Sequence, residues 1–267
     1  MSKSSSIIKK FLNYNKDQSS EFTEQGQTLH RRQYRAKYPT QIAAMKCMDG
    51  RINLSHMTKT PVGIIQPYRD LGGIFDLGGH FGEVLSEWVS YGIDNGNDSV
   101  ILVTYHWSRG DNHRGCAGWG CDLGAAQAYT RKEVKDIEAI FGKNHEVVYP
   151  IQVGIETDED ALVFHGVNGK TFDLSEIDTD DEQSELSLRM RLEELYPDMK
   201  RVMLDCLIPF CVGNISHIAE IRTANRPVAD ISHKENILGL GRGFDWHHQP
   251  NRMLIVGPFS FQLGKSI

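Results

Sequence analysis

Short apolar runs alternate with helical repeats through most of the chain. Residues 42–47 and 61–68 are brief apolar stretches bounded by polar or turn-forming residues, which predicts two buried strands. Phe81, Val84, Leu85, Trp88 and Val89 recur at the spacing of one helix face, so a helix is expected over 81–92. It leads into a continuous apolar run at 99–105, a third strand. A strand, crossover helix, strand succession predicts a parallel sheet with helices packed on it. Small residues over 117–129, then Val134, Ile137 and Ile140, predict helix as far as 141. A strand at 146–155 follows, and 161–164 is expected to pair with it as a hairpin across the acidic turn at 157–160.

The two ends read differently. Residues 1–40 are polar and Ser/Gln/Glu-rich, with a basic segment at 30–37 stopped by Pro39, and predict a loose arm holding one short helix. The acidic run at 176–185 reads as a solvated linker into a helix N-terminus, where its charge suits the dipole. Helices are expected at 184–196, 199–208 and 214–224, and a strand near 251–257. The expected organisation is an arm (1–40), a domain closing near Gly169 (41–169) and an α+β C-terminal extension packed on it (170–267). The fold class expected is α/β, a doubly wound, mostly parallel sheet flanked by helices.

Composition narrows the function. At 267 residues and 40% apolar content the chain is long enough to bury a core. A net charge of −6 offers no basic field for nucleic acid. The apolar runs fall short of the roughly 18 to 20 residues of a membrane span, so no membrane partner is expected. The start lacks a sustained hydrophobic signal core, which points to the cytoplasm. Five cysteines fit reduced thiols and metal ligation better than a disulfide framework.

Candidate chemistry gathers around residues 46–51. Cys47, Asp49 and Arg51 occupy alternate positions and would project to one side of an extended strand. The strand at 99–105 delivers His106 at its carboxyl end, and a polar loop leads from there to His113 and Cys116. Two cysteines and a histidine so placed make a three-ligand zinc site with its fourth position left for water. His106 is favoured as the imidazole because a strand end fixes a ligand more firmly than a flexible loop. His113, with a His-x-x-Cys spacing to Cys116, is the alternative. A rival reading joins Cys116/Cys121 and Cys206/Cys211 in a closed four-thiolate centre. The glycine-rich 239–243 segment lacks the dinucleotide-binding order, and the adjacent histidines His247 and His248 read as a turn near a pocket or interface.

Cys47-Met-Asp-Gly-Arg51, Arg69-Asp-Leu-Gly72, the strand ending in His106 and the later Cys116 together resemble the β-class carbonic anhydrases. The resemblance covers about residues 40–166. The stretch between His106 and Cys116 departs from the family's common form and is similar to its carboxysomal and cadmium-type branches. The resemblance implies zinc on Cys47, His106 (or His113) and Cys116, with a catalytic Asp49–Arg51 dyad. It implies reversible hydration of carbon dioxide to bicarbonate by a zinc-bound hydroxide, with His113 and His80 as proton-shuttle candidates, in a homodimer or larger homo-oligomer. The alternative is a non-catalytic, zinc-stabilised scaffold that retains the fold.

Overall fold

The computed structural model describes residues 9, 12–13, 16–17 and 19–226, apart from 143–145 and 178–179, together with 236–239 and 253–256. Helix α1 (Gln25–Lys37) precedes β1 (Gln41–Cys47), β2 (Ile65–Asp70), helix α2 (His80–Asp94), β3 (Ser99–Trp107), helix α3 (Leu123–Phe141) and β4 (Val148–Glu156). Then come β5 (Ala161–His165), β6 (Thr171–Asp173), helix α4 (Glu185–Leu195) and helix α5 (Arg201–Ala224). Six strands form one sheet in the order β2-β1-β3-β4-β5-β6. The first four run parallel, and β5 and β6 are antiparallel additions. The expected α/β class is therefore observed, as a mixed sheet flanked by helices.

Both faces of the sheet are covered, which explains why its strands read as unbroken apolar runs. Ala43, Met45, Ile101 and Val103 pack with Leu85 and Val89 of α2 and Ile137 of α3. On the other face Ile42, Ala44, Leu102, Ile151 and Phe164 pack with Leu192 of α4 and Leu207 and Phe210 of α5. Thus β6 and the helices after residue 169 share one core with β1 and β3.

Several boundaries differ from the pattern reading, each for a local reason. The strand expected at 61–68 starts only at Ile65, because Pro61 and Gly63 make a turn in which Ile64 N donates to Pro61 O at 3.1 Å and Gly63 has φ +104°. The helix expected from 117 begins at Leu123, where the Asp122 side chain caps Ala125 N, after a 3₁₀ turn at Ala117–Trp119. Two helices expected at 199–208 and 214–224 are one helix, α5, that passes through Pro209. An interior proline costs about 3 kcal/mol, and burial of large side chains at about 1.5–3 kcal/mol each outweighs it; Leu207, Phe210 and Cys211 are all buried beside it.

By length and composition α5 is also apolar enough to cross a membrane, against the expectation that no run reaches that length. Most of it is buried inside this fold, as in the central helix of a globular core. Outside the sheet, Met253–Val256 pairs antiparallel with Asn236–Gly239, at the place where a terminal strand is expected. The segments 240–243 and 244–248 lie outside the described residues.

One buried side chain ties α5 to the rest. Asn214, 0% exposed, donates to Met57 O (3.0 Å) and Asp160 O (2.8 Å) and accepts from Leu162 N (2.9 Å). Replacing it by an apolar isostere strands three buried backbone groups, each at about 1–3 kcal/mol. Asn214→Leu is therefore expected to lower the unfolding free energy by about 3 kcal/mol or more, measured as a shift in the urea midpoint at constant slope.

Candidate metal centre

β1 ends at Cys47 and the neighbouring parallel strand β3 carries His106 near its end, so both side chains reach the carboxyl edge of the sheet. Ligands of open α/β sheets gather at this edge. Cys116 arrives from the loop after β3. Cys47, His106 and Cys116 are 4%, 1% and 3% exposed, and their ligand atoms lie within 4.8 Å of one another.

The geometry discriminates between uses of the two thiols. Cys47 Sγ and Cys116 Sγ are 3.7 Å apart. A disulfide requires about 2.05 Å, whereas two bonds of about 2.3 Å at a tetrahedral angle span about 3.8 Å. Both ring nitrogens of His106 are buried without a hydrogen-bond partner. A buried imidazole normally spends both nitrogens, and a cation shared with the two sulfurs would engage one of them. The hydrogen bond with Cys116, and then burial, push the Cys47 thiol up; the same hydrogen bond holds Cys116 below the ordinary thiol value. The donor set, two sulfurs and an imidazole, suits zinc.

Other sequence candidates fall elsewhere. His113 is exposed on a 3₁₀ turn and is not among the clustered ligand atoms. His80 is exposed at the start of α2, with Nδ1 2.9 Å from Glu83 Oε2. Cys206 and Cys211 are buried in α5, and Cys121 contacts His113 O, so the two Cys-x4-Cys pairs do not meet among the described residues.

Asp49 and Arg51 converge, but not by strand alternation. β1 stops at Cys47, and 49–52 is a turn in which Arg51 N donates to Asp49 Oδ1 at 2.9 Å. The guanidinium closes a fork on the same carboxylate, with Nε to Oδ1 at 3.1 Å and Nη2 to Oδ2 at 2.7 Å. Lys46 Nζ and Arg69 Nη2 both donate to Ile52 O at 2.9 Å, and Arg69 Nη1 reaches Asp49 O at 3.3 Å, fixing the turn from behind. Burial alone would raise the Asp49 carboxyl, but the bonds from Arg51 outweigh it and hold the group below the usual carboxylate value.

Sequence reasoning missed the two outer partners of Arg51. Its Nη2 donates to Arg114 O at 2.9 Å and its Nη1 to Thr157 Oγ1 at 3.3 Å. The available signal was a hydroxyl residue immediately beyond a parallel strand, β4, at the same sheet edge. The acidic turn after β4, expected only to close a hairpin, also anchors the Cys116 loop. Asp158 accepts from Ser108 Oγ at 2.8 Å and Gly110 N at 2.7 Å, and Glu156 from Arg109 N at 3.0 Å. Farther along, a Cβ on Gly118 would sit 2.5 Å from Gly72 Cα, so only glycine lets the Cys116 turn dock on the segment following β2.

The fold and this cluster define an α/β protein with a candidate three-ligand metal centre beside a carboxylate–guanidinium pair. The chain is 25% identical over 240 residues to the carboxysome shell carbonic anhydrase of Hydrogenovibrio crunogenus (strain DSM 25203 / XCL-2), a match covering 76% of this chain and 44% of that protein. The chain thus spans less than half the length of that curated relative. A curated carbonic anhydrase is thus among the proteins to which this chain is similar, in line with the β-class resemblance of the Cys47 to Arg51 motif. Among solved structures, one described as the β-carbonic anhydrase CcaA aligns at a TM-score of 0.37 and 15% identity, over 58% of this chain and 87% of that one. No family model matches the chain.

A buried acid backs the segment facing Cys47. Glu133 Oε1 accepts from Tyr129 Oη at 3.0 Å and Phe75 N at 3.3 Å, and burial pushes this carboxyl from 4.5 up to about 8. Between those values the folded state holds a proton that the unfolded chain has lost, so stability falls as pH rises through the window and levels off above it. Glu133→Gln is expected to flatten that slope between about pH 5 and pH 8, checked by urea midpoints at several pH values.

Proposed function

We propose that the chain is a zinc-dependent, β-class-like carbonic anhydrase catalysing reversible hydration of carbon dioxide to bicarbonate. The carrying observation is the buried Cys47, His106 and Cys116 cluster, with sulfurs 3.7 Å apart and an unpartnered imidazole, beside an intact Asp49–Arg51 fork. Cys47, Cys116 and His106 would hold the ion, which when bound supplies Lewis acidity and brings the pKa of a coordinated water to about 7.

The chain's own residues supply direction and charge. Asp49 stays ionised and accepts a hydrogen bond from the attacking water, aiming an oxygen lone pair at the substrate carbon. Arg51 keeps that carboxylate from rotating, and two of its remaining donors reach Arg114 O and Thr157 Oγ1. Carbon dioxide is small and apolar and needs no charged cradle. Each hydration releases a proton; the exposed imidazoles of His113 and His80 are the proposed carriers. The proposal includes a homo-oligomer in the cytoplasm, a compartment that keeps thiols such as Cys47 and Cys116 reduced.

The alternative, a zinc-stabilised scaffold, has no use for an oriented carboxylate, which is why the dyad favours catalysis. Stopped-flow carbon dioxide hydration combined with a metal assay separates the two. Wild type is expected to bind one zinc and to turn over, Cys47→Ser to lose both metal and rate, and Asp49→Ala to keep the metal while losing at least about 100-fold in kcat. Stoichiometric zinc with no turnover in wild type would replace the enzyme with the scaffold.

A further inference from the structure

The residue that closes α5 reaches back toward the dyad. Arg226 is largely buried, and its Nη1 lies 2.7 Å from Asp160 Oδ2. Its Nη2 donates to Asp158 O at 2.8 Å and to Thr157 O at 3.2 Å. His217, about two turns before the end of α5, places Nε2 2.9 Å from the same Asp160 oxygen. Asp160 is itself in the left-handed region at φ +57°, a conformation that a non-glycine residue keeps only where its surroundings impose it. The turn after β4 is therefore gripped on side-chain and backbone oxygens by the end of α5.

That grip is one residue removed from the dyad. Thr157 N and Oγ1 both donate to Trp107 O, at 2.8 and 3.0 Å, which leaves the hydroxyl oxygen facing Arg51 Nη1 at 3.3 Å. The contacts run in series from Arg226, through Thr157, to Arg51 and Asp49. The Asp49 carboxylate holds its direction only while Arg51 is fixed, and Arg51 is fixed on its outer side by Thr157 and by Arg114 O.

We infer that Arg226, acting through Thr157, is a positioning residue for the Asp49–Arg51 dyad, so that the end of α5 sets the orientation of a carboxylate at the opposite end of the sequence. This rests on the carbonic anhydrase reading for its effect on rate, but not for its effect on Arg51. The guanidinium is held independently of any turnover, and restricted rotation about its Cζ–N bonds reports that hold.

The test is a double-mutant cycle on the full-length, zinc-loaded protein with Arg226→Ala, Thr157→Val and the pair, with Thr157→Ser as the conservative control. Each single variant is expected to retain zinc and to lose about tenfold in kcat with little change in KM, the scale of one hydrogen bond to a charged group. The pair is expected to lose no more than either alone, because both remove the same restraint, and Thr157→Ser is expected to restore the rate. Nitrogen-15 spectra of the arginine side chains supply the second readout: separate Nη signals for Arg51 in wild type and Thr157→Ser, merged signals in the other variants. Multiplicative losses in the pair, wild-type kcat in both singles, or split Arg51 signals in Arg226→Ala would each overturn the inference. If Arg226→Ala does not fold, Thr157→Val and Thr157→Ser decide it by the Arg51 signals. A wild type without hydration activity removes the function proposed above, while the spectra still decide the positioning.

Discussion

Two sulfur atoms held 3.7 Å apart in a buried site, with an imidazole left unpaired against them, are the constraint on which the rest of this structure depends. Beyond the sulfur–sulfur hydrogen bond itself, little local contact stabilises such an arrangement. Burying polar groups without partners costs a few kcal/mol each, and each of the three side chains is brought in by a different part of the chain. The cost is carried by the sheet: β1 and β3 are packed on both faces, so Cys47 and His106 cannot relax away from one another without disturbing the core.

Cys116 has no strand to hold it and is restrained by polar contacts instead. Asp158 and Glu156 hold the loop leaving β3, the Gly72 to Gly118 approach docks its far end, and the Cys116 carbonyl accepts from Trp119 N and Cys121 N. The five residues from Glu156 to Asp160 thus face three ways, toward the Cys116 loop, toward Arg51 and toward α5. A turn that a sequence reading assigns to closing a hairpin is one of the junctions through which the second half of the chain meets the first.

How much of this was legible follows from which interactions are local. Unbroken apolar runs located β1, β3 and β4, and the period-3.6 spacing located α2 and α3, because those elements are decided by what they bury. Cys47, Asp49 and Arg51 were visible as a group because their spacing is short, although a turn at 49–52, and not an extended strand, brings the last two together. The two helices expected at 199–208 and 214–224 are one, because helix breaking at Pro209 is a local tendency that tertiary burial of α5 overrides. Thr157, Asp160 and Arg226 were illegible because their partners lie about 50 to 100 residues away in sequence, and a solvated acidic run and a gripped one have the same composition.

The spread of the three proposed ligands along the chain also bears on the order in which such a site would form. A short zinc knuckle draws its ligands from a few adjacent turns, so the ion can template folding. Here residues 47, 106 and 116 meet only after β1 and β3 have zipped across a long loop, a slow, non-local pairing. On the proposed reading a cation would therefore be a late guest, entering a site that the folded sheet has already assembled.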